Sequence, residues 1–208
     1  MLNADRFFDP NPTVRDIARG LYRSVAELPL VCPHGHVDPA LLAKNEPFPN
    51  PSELIIVPDH YVFRMLYSQG VGLEQLGIPS KDGTPGETDP RKIWQTFGEN
   101  FYLFRGTPTR AWIEQEFEEV FGIDVPLNGE TALEIYDVIA ERLTQPDYLP
   151  RALFERFRVE ALCTTDAATD TLEHHQAIRD SGWGGRVLPT FRPDAAIALA
   201  ADGWKAEI

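Results

Sequence analysis

Three short apolar segments, separated by helical stretches, limit what this sequence can fold into more than any other feature. Residues 30–32, 158–164 and 186–191 are apolar runs of strand length, and we interpret them as strands, the first of them buried. An amphipathic helix at 11–28 precedes the first strand, and a helix at 169–180 separates the second from the third. Strands that alternate with helices predict parallel β/α units. Three strands do not close a barrel, which needs eight, so the sequence predicts a small open α/β domain or the front part of a larger barrel.

The segment between the first and second strands has the pattern of a helical block. Residues 39–52 are rich in Pro and Asn, which predicts a loop. After this loop, apolar residues recur at helical spacing at 59–69, 89–104, 108–121 and 130–143, and a further turn covers 149–157. The helix at 11–28 carries its own apolar stripe, made of Val14, Ile17, Ala18, Leu21, Val25 and Leu28.

The charge balance excludes several classes of protein. The 208 residues contain 19 Lys and Arg against 32 Asp and Glu, a formal charge of −13, so we expect no binding to nucleic acid or to an anionic membrane. A small acidic substrate stays possible, because a few local Arg residues can override the net charge. Two cysteines in a chain of this length are typical of reduced thiols, and no secretory signal is visible, so we expect a cytoplasmic protein.

A His-Gly-His motif follows the first predicted strand. His34 and His36 are alternate residues, so both side chains can point to one side of an extended segment. Two neutral imidazoles at a strand end can bind one Zn²⁺ or a similar cation, and a catalytic site would need a third ligand, commonly a carboxylate. The alternative interpretation is that the two histidines only line a loop.

A second group of polar residues opens the helix at 59–69. His60 and Arg64 are four residues apart and share a helix face, and Tyr61 follows His60. Imidazole exchanges protons near neutral pH, a phenol donates a hydrogen bond, and a guanidinium pairs with a carboxylate. The pattern fits a substrate site, with Arg64 as a substrate-binding residue, and it equally fits an ordinary helix capped by Asp59.

Polar residues also follow the second and third predicted strands. Thr164, Thr165 and Asp166 can bind polar substrate atoms, but we favour the interpretation that they cap the following helix. Arg192 would point toward the same end of the sheet as the His pair, where its guanidinium could bind the carboxylate of a substrate. The alternative interpretation is that Arg192 only forms a salt bridge within the protein. His174 and His175 are adjacent on a helix, and we interpret them as surface or packing residues.

Four segments in this order resemble the N-terminal part of the uronate isomerase (glucuronate isomerase) family, which belongs to the amidohydrolase superfamily. They are VCPHGHVDP, DHYVFRMLYSQGV, CTTDAATDTLEHH and RVLPTFRPD. The resemblance implies a distorted TIM-type (β/α) barrel of which only the first three strands are present, with an all-helical insertion after the first strand. It divides the chain into residues 1–38, with the first helix and strand, the insertion at 39–157, and the second and third strands with their helices at 158–208.

The resemblance also implies a reaction. The family interconverts D-glucuronate and D-fructuronate, and D-galacturonate and D-tagaturonate, by proton transfer through an enediol. By position, His34 and His36 would be metal ligands, His60 and Tyr61 would contact the substrate as catalytic residues, and Arg192 would hold the carboxylate. We expect a divalent metal, with Zn²⁺ first and Mn²⁺ second, a small uronate as the ligand, and a homo-oligomer.

Two departures from the family pattern affect these expectations. Cys32 stands where the family usually has an Asp, two residues before the first His. Family members are also much longer, and the later strands, one of which bears a metal-binding Asp, have no counterpart here. On this basis we expect little activity from the isolated chain. The alternatives are a metal-dependent hydrolase of the same superfamily and an inactive truncated fragment.

Overall fold

The structure is a computed structural model that describes residues 2–81, 83–201 and 203–207. Its chain separates into two compact units: a helical unit of residues 1–16 and 47–146, and a sheet unit of residues 17–46 and 147–208. The three-part division implied by the resemblance, in which the barrel is incomplete, stays a prediction. The helices are α1 (Pro12–Val25), α2 (Pro39–Lys44), α3 (Pro51–Ile55), α4 (His60–Ser68), α5 (Pro90–Asn100), α6 (Pro108–Gln115), α7 (Ala132–Leu143), α8 (Pro150–Arg156), α9 (Glu173–Asp180), α10 (Asp194–Ile197) and α11 (Trp204–Glu207).

The helical unit is built around a cluster of aromatic side chains on α5 and the 3₁₀ turn that follows it. Trp94, Phe97, Phe101 and Phe104 are fully buried and pack mostly edge to face, which is a favourable geometry for aromatic rings. The indole of Trp94 donates a hydrogen bond of 2.8 Å to the carbonyl of Ala132, the first residue of α7. The unit therefore has a core of its own.

The predicted loop at 39–52 is wrong, because helices α2 and α3 lie within it and at its end. Asp38 and Asn50 are the N-caps of these helices, and their side chains accept hydrogen bonds from the amides of Ala40 and Glu53. Each cap is followed by a proline at the first helical position, where the missing N–H has no cost. The Pro and Asn residues that suggested a loop are in fact helix start signals.

Among its described residues, the sheet unit contains three parallel strands in the order β1 (Leu30–Cys32), β2 (Val159–Thr164) and β3 (Val187–Pro189). The predicted strands and their parallel arrangement are thus confirmed. Helices α2, α8 and α9 cover one face of the sheet. Its core cluster is made of buried side chains from these helices and from β2: Leu42, Phe154, Leu162 and Ile178.

The apolar stripe of the first helix and the first strand are exposed in this chain, so the predicted burial of β1 is wrong for the described residues. Leu30 and Val31 of β1 are 51% and 61% exposed. On the part of α1 that belongs to the sheet unit, Ile17, Leu21 and Val25 are all more than half exposed. Within the described ranges, β1 pairs on one side only, with β2. None of the helices in these ranges is both long and apolar enough to cross a membrane.

Candidate functional site

The two imidazoles of the His-Gly-His motif converge just beyond the end of β1. The Nε2 atoms of His34 and His36 lie 3.0 Å apart, and the two rings meet edge to face. Both residues are exposed. Two nitrogens that each lie about 2.0–2.1 Å from one Zn²⁺ are about 2.9–3.4 Å apart at right-angle to tetrahedral geometry. The spacing of this pair therefore fits two positions of a single cation site.

A complete metal site needs more than this pair. In the part of the chain that the structure describes, no three His, Cys, Asp or Glu side chains are grouped so that they could hold a metal ion. A catalytic zinc site commonly has three protein ligands. The donors present thus fit a divalent metal as two of its ligands, and the assignment of His34 and His36 stays a prediction.

Gly35 holds the motif against the neighbouring strand. Its amide donates a hydrogen bond of 2.8 Å to the carbonyl of Cys163, which continues the pairing of β1 and β2 beyond the end of β1. A Cβ atom on Gly35 would lie 2.7 Å from Cδ1 of Leu162 and 3.1 Å from the carbonyl oxygen of Cys163. The first distance is shorter than real Cβ contacts, so only glycine lets the motif approach β2 this closely.

Replacing Gly35 with Ala is expected to lower the free energy of unfolding by about 1–3 kcal/mol, because the added methyl group overpacks the contact with Leu162. Urea unfolding of the 208-residue chain measures this loss. Gly184→Ala is the matched control, since nothing lies within 4 Å of a Cβ at that position of the same unit. An equal loss for both variants would show that the close approach of Gly35 does not matter.

Arg192 lies beyond β3, on the other side of β2 from the His pair. Its main chain pairs with the segment that follows β2: Ala167 and Arg192 form a parallel bridge, and the amide of Ala168 donates a hydrogen bond of 3.1 Å to the carbonyl of Arg192. The Arg192 side chain is 45% exposed, and its Nε lies 3.6 Å from a carboxylate oxygen of Asp194. The structure thus places the His pair and Arg192 at the carboxyl ends of β1 and β3, with the end of β2 between them.

The interpretation of Thr164, Thr165 and Asp166 as helix caps is wrong. Helix α9 begins only at Glu173, and Asp166 is bound instead by the hydroxyl of Thr164, which lies 2.6 Å from its Oδ2. His175, interpreted from the sequence as a surface or packing residue, is buried, and its Nε2 lies 2.8 Å from the same hydroxyl oxygen. Sequence analysis missed this group because it depends on a helix that folds back onto β2.

In the helical unit, the remaining predicted site residues open helix α4. Asp59 is its N-cap, and its side chain accepts a hydrogen bond of 2.8 Å from the amide of Tyr61. The rings of His60 and Tyr61 stack with centroids 4.2 Å apart, and both side chains are exposed, as is Arg64 one turn later. The helix and its cap agree with the prediction from the sequence, while the roles of His60, Tyr61 and Arg64 stay predictions.

Glu116 is a carboxyl group in the helical unit that sequence analysis did not single out. It begins the π-helical turn Glu116–Val120, which continues α6. Burial, together with the smaller effect of the negative charge of Asp59, raises the pKa of Glu116 to about 7. The residue as a whole keeps an exposed surface.

The raised pKa of Glu116 predicts that the fold loses stability as the pH rises from about 4.5 to about 7. In this window the unfolded chain has released the proton while the folded chain still holds it, so the free energy of unfolding falls with pH. Glu116→Gln should therefore raise that free energy at pH 8 by about 1 kcal/mol, a value discounted for solvent exposure, and leave it unchanged at pH 4. Chemical denaturation at both values measures the difference. Glu134→Gln, an exposed position on α7, is the control, and a gain that does not depend on pH would contradict the prediction.

Comparison with known proteins identifies the family to which this chain belongs. The model of the glucuronate isomerase family matches residues 6–208. The chain belongs to the glucuronate isomerase family. The uronate isomerase of Brucella canis is 53% identical to it over 207 residues, which cover 100% of this chain and 44% of that protein. The uronate isomerase of Nostoc punctiforme is also 53% identical, over 206 residues that cover 99% of this chain and 43% of that protein.

Solved structures of glucuronate isomerase family members agree with this assignment. The crystal structure of glucuronate isomerase from Caulobacter crescentus matches with a TM-score of 0.94 and 46% identity, covering 100% of this chain and 43% of that chain. The uronate isomerase from Thermotoga maritima matches with a TM-score of 0.82 and 32% identity, covering 92% and 40%. The resemblance recognised from the sequence is confirmed, and the chain spans less than half the length of the relatives it matches.

Proposed function

We propose that this chain carries part of the active site of a uronate isomerase that interconverts D-glucuronate and D-fructuronate. The observation that supports this most is the pair of polar groups at one end of the sheet: two converging imidazoles beyond β1 and a guanidinium beyond β3. Neighbouring strands lie about 4.8 Å apart, so the ends of β1 and β3 are separated by about 10 Å. Side chains that lean inward across this distance can hold the two ends of an open six-carbon sugar acid.

The residues have the chemistry that the isomerisation needs. The proton on C2 of the open aldose moves to C1 and the hydroxyl proton on O2 moves to O1, which produces the ketose without any change in composition. Imidazole and phenol groups such as those of His60 and Tyr61 can transfer and stabilise these protons. Arg192 would hold the carboxylate, and Arg64 would add a second cationic contact. A divalent cation on His34 and His36 would supply positive charge beside the oxygens that become negative.

We further propose that the sheet is part of a distorted TIM-type barrel. A parallel sheet is normally covered on both faces, yet Leu30 and Val31 of β1 are exposed and the apolar stripe of α1 has no cover in the sheet unit. The relatives carry more than half of their length outside the region that this chain matches. Strands from that remaining region would pair with the free edges of β1 and β3.

The remaining expectations extend the same proposal. Galacturonate and tagaturonate would be a second substrate pair, because they differ from the first pair at a single hydroxyl-bearing carbon and offer the same carboxylate. Zn²⁺ or Mn²⁺ would be the metal, and the complete protein would assemble with copies of itself. Two cysteines that are both free support a reducing compartment such as the cytoplasm.

A chimera tests the proposed function directly. These 208 residues would replace the matching region of the Brucella canis relative, and the purified product would be supplied with D-glucuronate in the presence of Zn²⁺ or Mn²⁺. We expect ketose formation by the chimera and little by the isolated chain. A chimera that folds and stays monodisperse but forms no ketose from either uronate would contradict the proposal.

A further inference from the structure

A buried polar network lies at the carboxyl end of β2, between the two candidate site groups. Thr164 is completely buried, and its hydroxyl lies 2.6 Å from Oδ2 of Asp166 and 2.8 Å from Nε2 of His175. The side chains of Asp166 and His175 are only 9% and 5% exposed. Three polar side chains from a strand, a loop and helix α9 thus meet in one place.

The hydrogens in this network can be assigned from its geometry. The Asp166 carboxylate and the carbonyl of Leu188 can only accept, and the carboxylate oxygen is the nearer of the two, at 2.6 Å against 3.3 Å, so the single hydroxyl hydrogen of Thr164 points to Asp166. The hydroxyl oxygen then accepts from His175, which must carry its hydrogen on Nε2. The other ring nitrogen, Nδ1, is buried and has no hydrogen-bond partner within the described ranges, so a hydrogen there would be stranded. The network therefore selects one arrangement of Asp166, Thr164 and His175.

The backbone around this network holds both candidate site groups. On one side, the carbonyl of Cys163 accepts the amide of Gly35, between the two histidines. On the other side, the carbonyl of Thr164 accepts the amide of Thr190 at 3.0 Å, and the amide of Ala168 donates to the carbonyl of Arg192. The loop 165–168 contains Asp166, and it also pairs with the main chain of Arg192. Contacts that hold Asp166 in place therefore also hold the main chain of Arg192 in place.

We propose that Thr164, Asp166 and His175 form a positioning network that locks the loop 165–168 and thereby aims Arg192 at the carboxylate of the ligand. The part of this inference that concerns the ligand rests on the proposed function. A purely apolar packing role at position 175 would require neither the ring nitrogen facing Thr164 nor the buried Asp166. The hydrogen bonds of Thr164 with Asp166 and His175, by contrast, favour one loop conformation, because breaking them leaves further buried polar atoms unpaired.

The test uses the 208-residue chain, amide hydrogen exchange by NMR, and two sugars as probes. His175→Leu and Asp166→Ala remove the network, His175→Gln keeps an N–H donor of similar reach, and His174→Leu alters the neighbouring, more exposed histidine as a matched control. We expect exchange at Ala168 and Thr190 to rise by about tenfold in the first two variants, relative to amides within α9. We expect the preference for D-glucuronate over uncharged D-glucose to fall in the same variants, with both properties restored in His175→Gln.

Several outcomes would overturn the inference. Unchanged exchange at Ala168, or an equal increase in every amide of the sheet unit, would show that the network does not fix this loop specifically. Faster exchange with an unchanged preference for glucuronate would reduce the network to a structural role. If the wild-type chain shows no preference for the carboxylate sugar, the proposed function of Arg192 fails, while the exchange data still decide whether the network holds the loop. Should His175→Leu fail to fold, Asp166→Ala provides the same comparison.

Discussion

Replacing His36 with Ala is expected to lower the affinity of the 208-residue chain for Zn²⁺ by at least about 100-fold. Loss of a partner outside the ligand set typically costs 10- to 100-fold in metal affinity, and loss of a ligand costs more. The physical basis is the 3.0 Å separation of the two Nε2 atoms, which lets both imidazoles bind one ion. Equilibrium dialysis with Zn²⁺ and with Mn²⁺ measures the change.

His174→Ala is the matched control for this experiment, because it removes another imidazole of the same unit that lies away from the motif. His34→Ala should reproduce the effect of His36→Ala. If the metal content of both motif variants equals that of the wild type, the two histidines only line a loop, which is the alternative that the sequence left open.

Replacing Arg192 with Ala is expected to weaken binding of D-glucuronate by about 30- to 150-fold while changing the binding of D-glucose less than about threefold. This range corresponds to losing a charge-assisted hydrogen-bonded pair of about 2–3 kcal/mol. Glucose has no carboxylate, so the loss of Arg192 removes no ion pair from its complex. Titration of the chain with each sugar, followed by NMR, measures the two affinities.

Arg186→Ala is the control for Arg192→Ala, because Arg186 is an exposed arginine just before β3 in the same unit. A general loss of positive charge would affect both variants alike. Equal losses for glucuronate and glucose in Arg192→Ala would instead mean that Arg192 supports the loop and does not clamp the carboxylate. The 3.6 Å contact of Arg192 with Asp194 would then be its main interaction.

Local patterns account for much of what the sequence predicted correctly. Asp59 before helix α4 and Pro108 at the start of α6 are start signals whose effect depends on a few neighbouring residues. The same kind of signal was misinterpreted at Asp38 and Asn50, because the loop was predicted from the high content of Pro and Asn in this segment and not from the order of these residues. The order Asp-Pro or Asn-Pro, in which an N-cap residue is followed by proline at the first helical position, would have predicted α2 and α3.

Other errors came from contacts between residues far apart in the chain. The apolar stripe of α1 was visible in the sequence, but spacing alone does not say what covers it, and in the sheet unit Ile17, Leu21 and Val25 stay exposed. Glu116 offered no sequence signal, because its raised pKa depends on burial and on Asp59, which lies far from it in the chain.

The order of the three strands and of the longer helices, and the placement of His34, His36 and Arg192 beyond the ends of strands, could be predicted from the sequence, since they follow from local apolar runs and from the chain order. Which contacts hold these residues in place depends on the tertiary structure. Three contacts require β1, β2, β3 and α9 to pack together. They are the main-chain pairing of Ala167 and Ala168 with Arg192, the close approach of Gly35 to Leu162, and the burial of His175 against Thr164. Such contacts join residues that no local pattern relates, because only the folded backbone brings them within hydrogen-bonding distance.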